Sequence, residues 1–230
     1  MKSGELIVID GGDGSGKHTQ TKMLIKRLRQ ETPWLLETMD FPQYKEPFYG
    51  PVIKDYLGGR FGNPTKTDPM LASMPYVMNR YAVLEKLNDL LAKNAVVILD
   101  RYTTANYIHQ GAKIADPKKR MEFIRMLQAI EYDILKLPIP SMVIYLHVKP
   151  SISLRLTKNR NQGQDGHESN AKYVRRTEKT ALWLFENFPN WQLIECCNKN
   201  GIMPPEEIHE IVYEIASNYL SHIEAVKLGL

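Results

Sequence analysis

The sequence predicts an α/β fold, a parallel sheet with helices packed on both faces. Short apolar runs alternate with amphipathic stretches of helical length along the whole chain. The runs at 6–10, 95–100 and 141–147 are continuously apolar, as in parallel strands covered on both sides. The first run leads directly into Gly11-Gly12-Asp13-Gly14-Ser15-Gly16-Lys17-His18-Thr19, and a helical pattern follows. Strand, glycine-rich turn and helix are the context of a phosphate-binding loop. Its glycines free the backbone to aim N–H groups inward at phosphate oxygens, and the helix N-terminus favours the same negative charge.

The first helix is predicted over 17–30, burying Leu24, Ile25 and Leu28 and stopped by Thr32-Pro33. A second strand spans 35–41, ending at Pro42, and a helical pattern within 44–59 closes at Gly58-Gly59. Asp68-Pro69 is a cap followed by proline at the first helical position. It opens a long helix over about 69–93, apolar over a wide arc and bent or delayed by Pro75. The third strand, 95–100, runs into Asp100-Arg101-Tyr102. Helices at 104–111 and 118–137, a strand at 141–147 and a helix at 151–160 follow. A polar segment, 161–170, then leads to a helix at 172–188, a strand at 192–196 and a closing helix at 206–222.

At 230 residues the chain reads as one domain, 1–230, with an ordinary globular composition. The net charge of +4 suits a small anionic ligand, and no basic stripe marks a nucleic-acid partner. No apolar run approaches membrane-spanning length, so no membrane partner is expected. A strand is expected almost from the first residues, so no targeting segment is expected. The only cysteines, Cys196 and Cys197, are adjacent and poorly placed to bridge. A cytoplasmic location is expected.

Within this frame Lys17 is the cation for the outer phosphates. Asp100, at a strand end near such a loop, is placed to hold Mg²⁺ through water, and Arg101 beside it to clamp a phosphate. Tyr76 and Arg80, four apart, share a helix face and could stack on and donate to a base. Alone, that pair is more often core packing with a surface charge. Asn106 and Gln110 repeat the spacing with amides that could read a base edge, or form a solvated face. The segment at about 160–172, with Arg160 before it and Arg175-Arg176 after it, has the composition of a closing lid or of an unstructured surface loop.

Together these residues resemble the thymidylate kinase family. The loop Gly11 to Gln20 with its internal acid, Phe41-Pro42, Tyr76 with Asn79-Arg80, and Asp100-Arg101-Tyr102 recur in that family's order and approximate spacing. The resemblance covers nearly the whole chain. It implies the P-loop nucleoside-monophosphate-kinase fold, with a five-stranded parallel sheet and a short lid. It further implies a homodimer packed through the helix at about 69–93, and ATP- and Mg²⁺-dependent phosphorylation of dTMP to dTDP. Carried over by residue, Gly11, Asp13, Gly14, Ser15, Gly16, Lys17, His18 and Thr19 would surround the ATP phosphates. Asp13, Phe41, Tyr44, Tyr76, Arg80, Arg101, Asn106 and Gln110 would surround the acceptor. Lys17, Asp100, Arg101 and Arg160 would be catalytic, with Asp100 the metal-holding group and Arg160 the lid arginine.

The sequence departs from the family pattern at several positions. His18 replaces the usual hydroxyl residue, and imidazole is a poor ligand for hard Mg²⁺. Gln43-Tyr44 stands where members place an acceptor-phosphate arginine, with Lys45 nearby. Ala105 and His109 stand where serine and an aromatic are common. These leave room for two other readings: a kinase for another deoxynucleotide or a nucleoside, or a nucleotide-binding regulator impaired in catalysis.

Overall fold

The computed structural model describes residues 4–158 and 170–228. Its main sheet, among the described residues, has five parallel strands in the order β2-β3-β1-β4-β5. These are β1 (Glu5–Gly11), β2 (Leu36–Asp40), β3 (Val96–Asp100), β4 (Met142–His147) and β5 (Trp191–Glu195). The strand order reverses beside β1, so the carboxyl ends of β1, β3 and β4 open a crevice where a ligand can sit.

Continuous apolar sequence in β1, β3 and β4 becomes burial on both faces. Ile7, Ile9, Val96, Ile98 and Ile144 pack with Leu24 and Leu28 of α1 (Lys17–Glu31) and with Val212 and Ala216 of α9 (Pro205–Leu228). On the other face, Leu6, Val8, Val97, Leu99 and Val143 meet α3 (Pro69–Tyr81), α4 (Leu84–Ala92), α5 (Thr104–His109), α6 (Pro117–Gln128) and α8 (Ala171–Asn187). The helices α2 (Tyr49–Leu57) and α7 (Pro150–Lys158) complete the layers beside the crevice. A two-stranded hairpin, β6 (Cys197–Asn198) and β7 (Gly201–Ile202), follows β5.

Two helical expectations need correction. The single helix over 69–93 is two helices, α3 and α4, separated at Ala82 and Val83. Asp68 caps α3 as expected, accepting from the N–H groups of Met70 (2.9 Å) and Leu71 (3.0 Å). Pro75 neither delays nor ends α3, which continues for six more residues. The break falls where Val83 leaves helical geometry (φ −114°, ψ 14°), in a stretch whose apolar periodicity runs on unbroken. The second correction concerns 118–137. The helix α6 starts one residue earlier on an Asp116 cap and passes into a π-helical turn, Ala129–Ile134. That wider turn brings Glu131 fully inside the protein. No helix among the described residues is long and apolar enough to cross a membrane.

Candidate active site

The loop after β1 is shaped by left-handed backbone at Gly14 (φ 82°) and Gly16 (φ 84°), a region costly for other residues. At Gly14 a side chain would also press on Leu156 of α7, with its Cβ at 3.1 Å. At Gly16 a Cβ would meet nothing within 4 Å, so the turn leaves open space in front of the helix start. Ser15 is buried, and its Oγ has no hydrogen-bond partner among the described residues. An orphaned hydroxyl beside a curled backbone and a lysine fits an anionic ligand with several acceptor oxygens.

Lys17 is 8% exposed and donates to the Gly12 carbonyl (2.8 Å). Burial, aided by the Arg101 guanidinium, lowers its pKa to about 8 against the pull of Asp13, Asp100 and Asp10. His18 and Thr19 are exposed at the start of α1. His18 Nδ1 lies 3.5 Å from Asp100 Oδ2. Asp100 closes β3 level with Asp40 of β2, and its side chain is 14% exposed.

Arg101 is the centre of the constellation. Its backbone is left-handed (φ 65°), and its N–H donates to the Ile9 carbonyl (2.9 Å). Its guanidinium donates to Asp13 Oδ1 (2.5 Å) and to His109 Nε2 (2.9 Å), and lies 3.6 Å from Asp10 Oδ1. A guanidinium only donates, so His109 presents a lone pair at Nε2. Burial works against the charge on Arg101, but Asp13, Asp10 and Asp100 outweigh it and raise its pKa. Asp10, which the sequence reading left inside a strand, is a fully buried part of this site. It accepts from Thr104 Oγ1 (2.7 Å) and the Gly11 N–H (2.8 Å), while burial raises its pKa.

The base-reading candidates lie beyond Arg101. Tyr76 is half-buried and meets Tyr56 edge-on at 6.3 Å between ring centroids. Arg80 is 2% exposed, donating through Nε (3.0 Å) and Nη2 to Glu131 Oε1 and through Nη1 to the Tyr102 carbonyl (3.3 Å). It is therefore neither a surface charge nor a fully free fork. Burial raises the Glu131 pKa, and Arg80 opposes that rise. Asn106 is buried with its amide 3.4 Å from the Ser73 carbonyl, and buried Gln110 has no partner for Oε1 among the described residues.

Other expected residues fall elsewhere. The Phe41 ring is in the core against Tyr102, at 5.5 Å between centroids, so this side chain supports the site from behind. Tyr44 is exposed near Arg101. The segment between them is fastened by Asn79, which accepts from the Gln43 N–H (2.7 Å) and donates to its carbonyl (3.0 Å). Arg160 and most of the expected lid, 160–169, lie outside the described residues. Glu131 and Asp10 were missed because each gains its meaning from a partner far away in sequence.

A sequence model described as thymidylate kinase matches residues 9–208. The chain belongs to the thymidylate kinase family. The thymidylate kinase of Danio rerio is 24% identical over 231 residues, covering 99% of this chain and 97% of its own. That of Schizosaccharomyces pombe is 26% identical over 225 residues, covering 95% and 94%. That of Mycobacterium tuberculosis is 26% identical over 177 residues, covering 75% and 81%. A solved thymidylate kinase from Candida albicans has the same fold, with a TM-score of 0.74 at 21% identity over 95% of this chain and 93% of that one. The crevice described above therefore belongs to a family of nucleoside monophosphate kinases.

Two outcomes follow from this geometry. Lys17, with its pKa near 8, is partly neutral at pH 8, and a polyanion pulls it back to the charged form. Inorganic tripolyphosphate binding at pH 8 should take up about half a proton more in the wild type than in Lys17→Arg, which stays charged. Calorimetry in buffers of different ionisation enthalpy measures this, and affinity should fall as pH rises through 8. Glu131→Gln leaves Arg80 buried without its counter-charge and should cost about 3–5 kcal/mol in urea unfolding. The double variant Arg80→Met/Glu131→Leu should recover much of that loss.

Proposed function

We propose that this protein transfers the γ-phosphoryl group of ATP to dTMP, giving dTDP. The Arg101–Asp13 pair carries the reading, because it joins the phosphate-binding loop to the second half of the crevice. One guanidinium thereby sits between a donor site and an acceptor site, as an in-line transfer between two bound phosphates requires. Lys17 and the loop N–H groups around Ser15 bind the ATP phosphates, while Arg101 grips the dTMP phosphate. Asp13 orients the acceptor near its 3′-hydroxyl and holds Arg101 in place. Tyr76 stacks on thymine, Arg80 donates to a thymine carbonyl through the N–H groups not taken by Glu131 and the Tyr102 carbonyl, and Asn106 and Gln110 flank the base. Arg160 supplies lid charge during transfer. Asp100 would hold Mg²⁺ through water, and the ion would supply neutralising charge to the transferring phosphates.

The family resemblance and the exposed apolar residues of α3 support a homodimer. Leu71 is 70% exposed and Tyr81 43%, with half-buried Met74 and Met78 along the same helix. A cytoplasmic location is supported by two free cysteines, one of them buried.

One observation favours a broader acceptor range. His109 bonds Arg101 directly, so an imidazole sits beside the acceptor phosphate clamp where the family commonly has an aromatic ring. The test is a coupled ADP-release assay with dTMP, dUMP, dGMP and thymidine. The proposal expects dTMP to be the best acceptor and Arg101→Ala to lower kcat/KM for it by at least about 10²-fold, with the fold intact by circular dichroism. A better rate with dGMP or thymidine would replace dTMP as the substrate, and ATP binding without ADP release would make the protein a nucleotide sensor.

A further inference from the structure

Lys113 is a partly buried lysine that the phosphate chemistry does not use. It ends a single helical turn, Gly111–Lys113, which follows α5 and Gln110. From there its side chain reaches two other elements. Nζ donates to the Tyr56 hydroxyl of α2 (3.0 Å) and to the Thr67 carbonyl (2.9 Å), one residue before the Asp68 cap of α3. Bonded at both places, the side chain gives up the rotamer freedom that a surface lysine keeps.

What Lys113 holds is the ring next to Tyr76. Tyr56 is buried, and its hydroxyl is fastened twice, donating to the Pro64 carbonyl (2.8 Å) while accepting from Lys113. The pinned ring meets Tyr76 edge-on, with 87° between the planes. Such a contact fixes orientation as well as distance, because a positive ring edge faces a negative ring face. Lys113 thus acts on α3 twice, through the neighbour of Tyr76 and through the backbone just ahead of the first turn. Its charge strengthens both bonds, since charge-assisted hydrogen bonds are roughly twice as strong as neutral ones. Burial lowers the Lys113 pKa to about 8, with Asp68 at the start of α3 opposing and Arg176 of α8 assisting.

We propose that Lys113 is a positioning residue for the acceptor base: by tying the end of α5 to Tyr56 and to the start of α3, it holds the Tyr76 ring in the plane on which the base stacks. This role rests on the reading of Tyr76 as the surface that receives the base. Lys113 itself touches neither substrate. Binding of the acceptor phosphate is left to Arg101, so the base and the phosphate respond differently when Lys113 is changed.

The test compares dTMP with deoxyribose 5-phosphate, which keeps the phosphate and lacks the base. Calorimetry on the full chain at pH 7 should show the wild type binding dTMP more tightly, and the ratio of the two affinities reports the base. Lys113→Met should shrink that ratio about fivefold or more, the low end of what stacking on one aromatic ring contributes. Its affinity for deoxyribose 5-phosphate should not change. In turnover, KM for dTMP should rise with kcat preserved, the pattern of lost uniform binding. The same contact can be read without a substitution, because the ammonium is charged below pH 8 and neutral above it. The wild-type ratio should therefore fall from pH 7 to pH 9, and Lys113→Arg, charged throughout, should hold it flat. An unchanged ratio in Lys113→Met, an equal loss for both ligands, or a wild-type ratio constant with pH overturns the positioning role. A wild type that binds both ligands equally overturns the reading of Tyr76 as well.

Discussion

The guanidinium of Arg101 is the interaction on which the rest of the site depends. A cation largely withdrawn from water is costly unless neutralised, and here three carboxylates from two strand ends and the loop after β1 share that task. Asp10 comes from β1, Asp13 from the loop, and Asp100 from the end of β3. Their convergence requires β1 and β3 to be neighbours in register, with Ile9 level with Asp100. The left-handed backbone at Arg101 costs about 1 kcal/mol or more for a residue with a side chain. The Ile9 carbonyl and the acids offset it. Sheet order, loop shape and site charge are thus one arrangement.

The same charge logic explains the neighbours. Lys17 lies within the field of Arg101, which adds to burial in lowering its pKa. The other arginine, Arg80, is fully buried and is compensated by one carboxylate rather than three. Its pair with Glu131 is neutral overall, which suits recognition of an uncharged ring more than of a phosphate. The two arginines thus differ in setting: one sits amid acids at the crevice, and the other is sealed deeper with a single carboxylate.

Much of this was legible in sequence where local pattern decides. Continuous apolar runs specified β1, β3 and β4, because burial on both faces removes the usual alternation. The loop was legible from its glycines, and Asp68-Pro69 gave the start of α3. The break between α3 and α4 was not, since apolar periodicity crosses Ala82 and Val83 and the visible signal, Pro75, lies a full two turns earlier. Tyr76 and Arg80 were found as a pair, but Glu131 was hidden inside an ordinary amphipathic pattern. Its partner is 51 residues away, and a π-helical turn sets its direction. Phe41 was read as part of the acceptor site because it stands in a family motif, whereas packing against Tyr102 makes it core. Local rules report local structure; buried ion pairs form across distances that such rules do not span.

The central claim is that Asp13 and Arg101 act as a unit linking the loop to the acceptor. A double-mutant cycle with Asp13→Asn and Arg101→Lys, read as the affinity for dTMP by calorimetry, tests it most directly. The account predicts that the two losses fall short of additive by about 1 kcal/mol or more, as for groups that touch. Losses that add to within about 0.3 kcal/mol would contradict it, since independent groups behave that way.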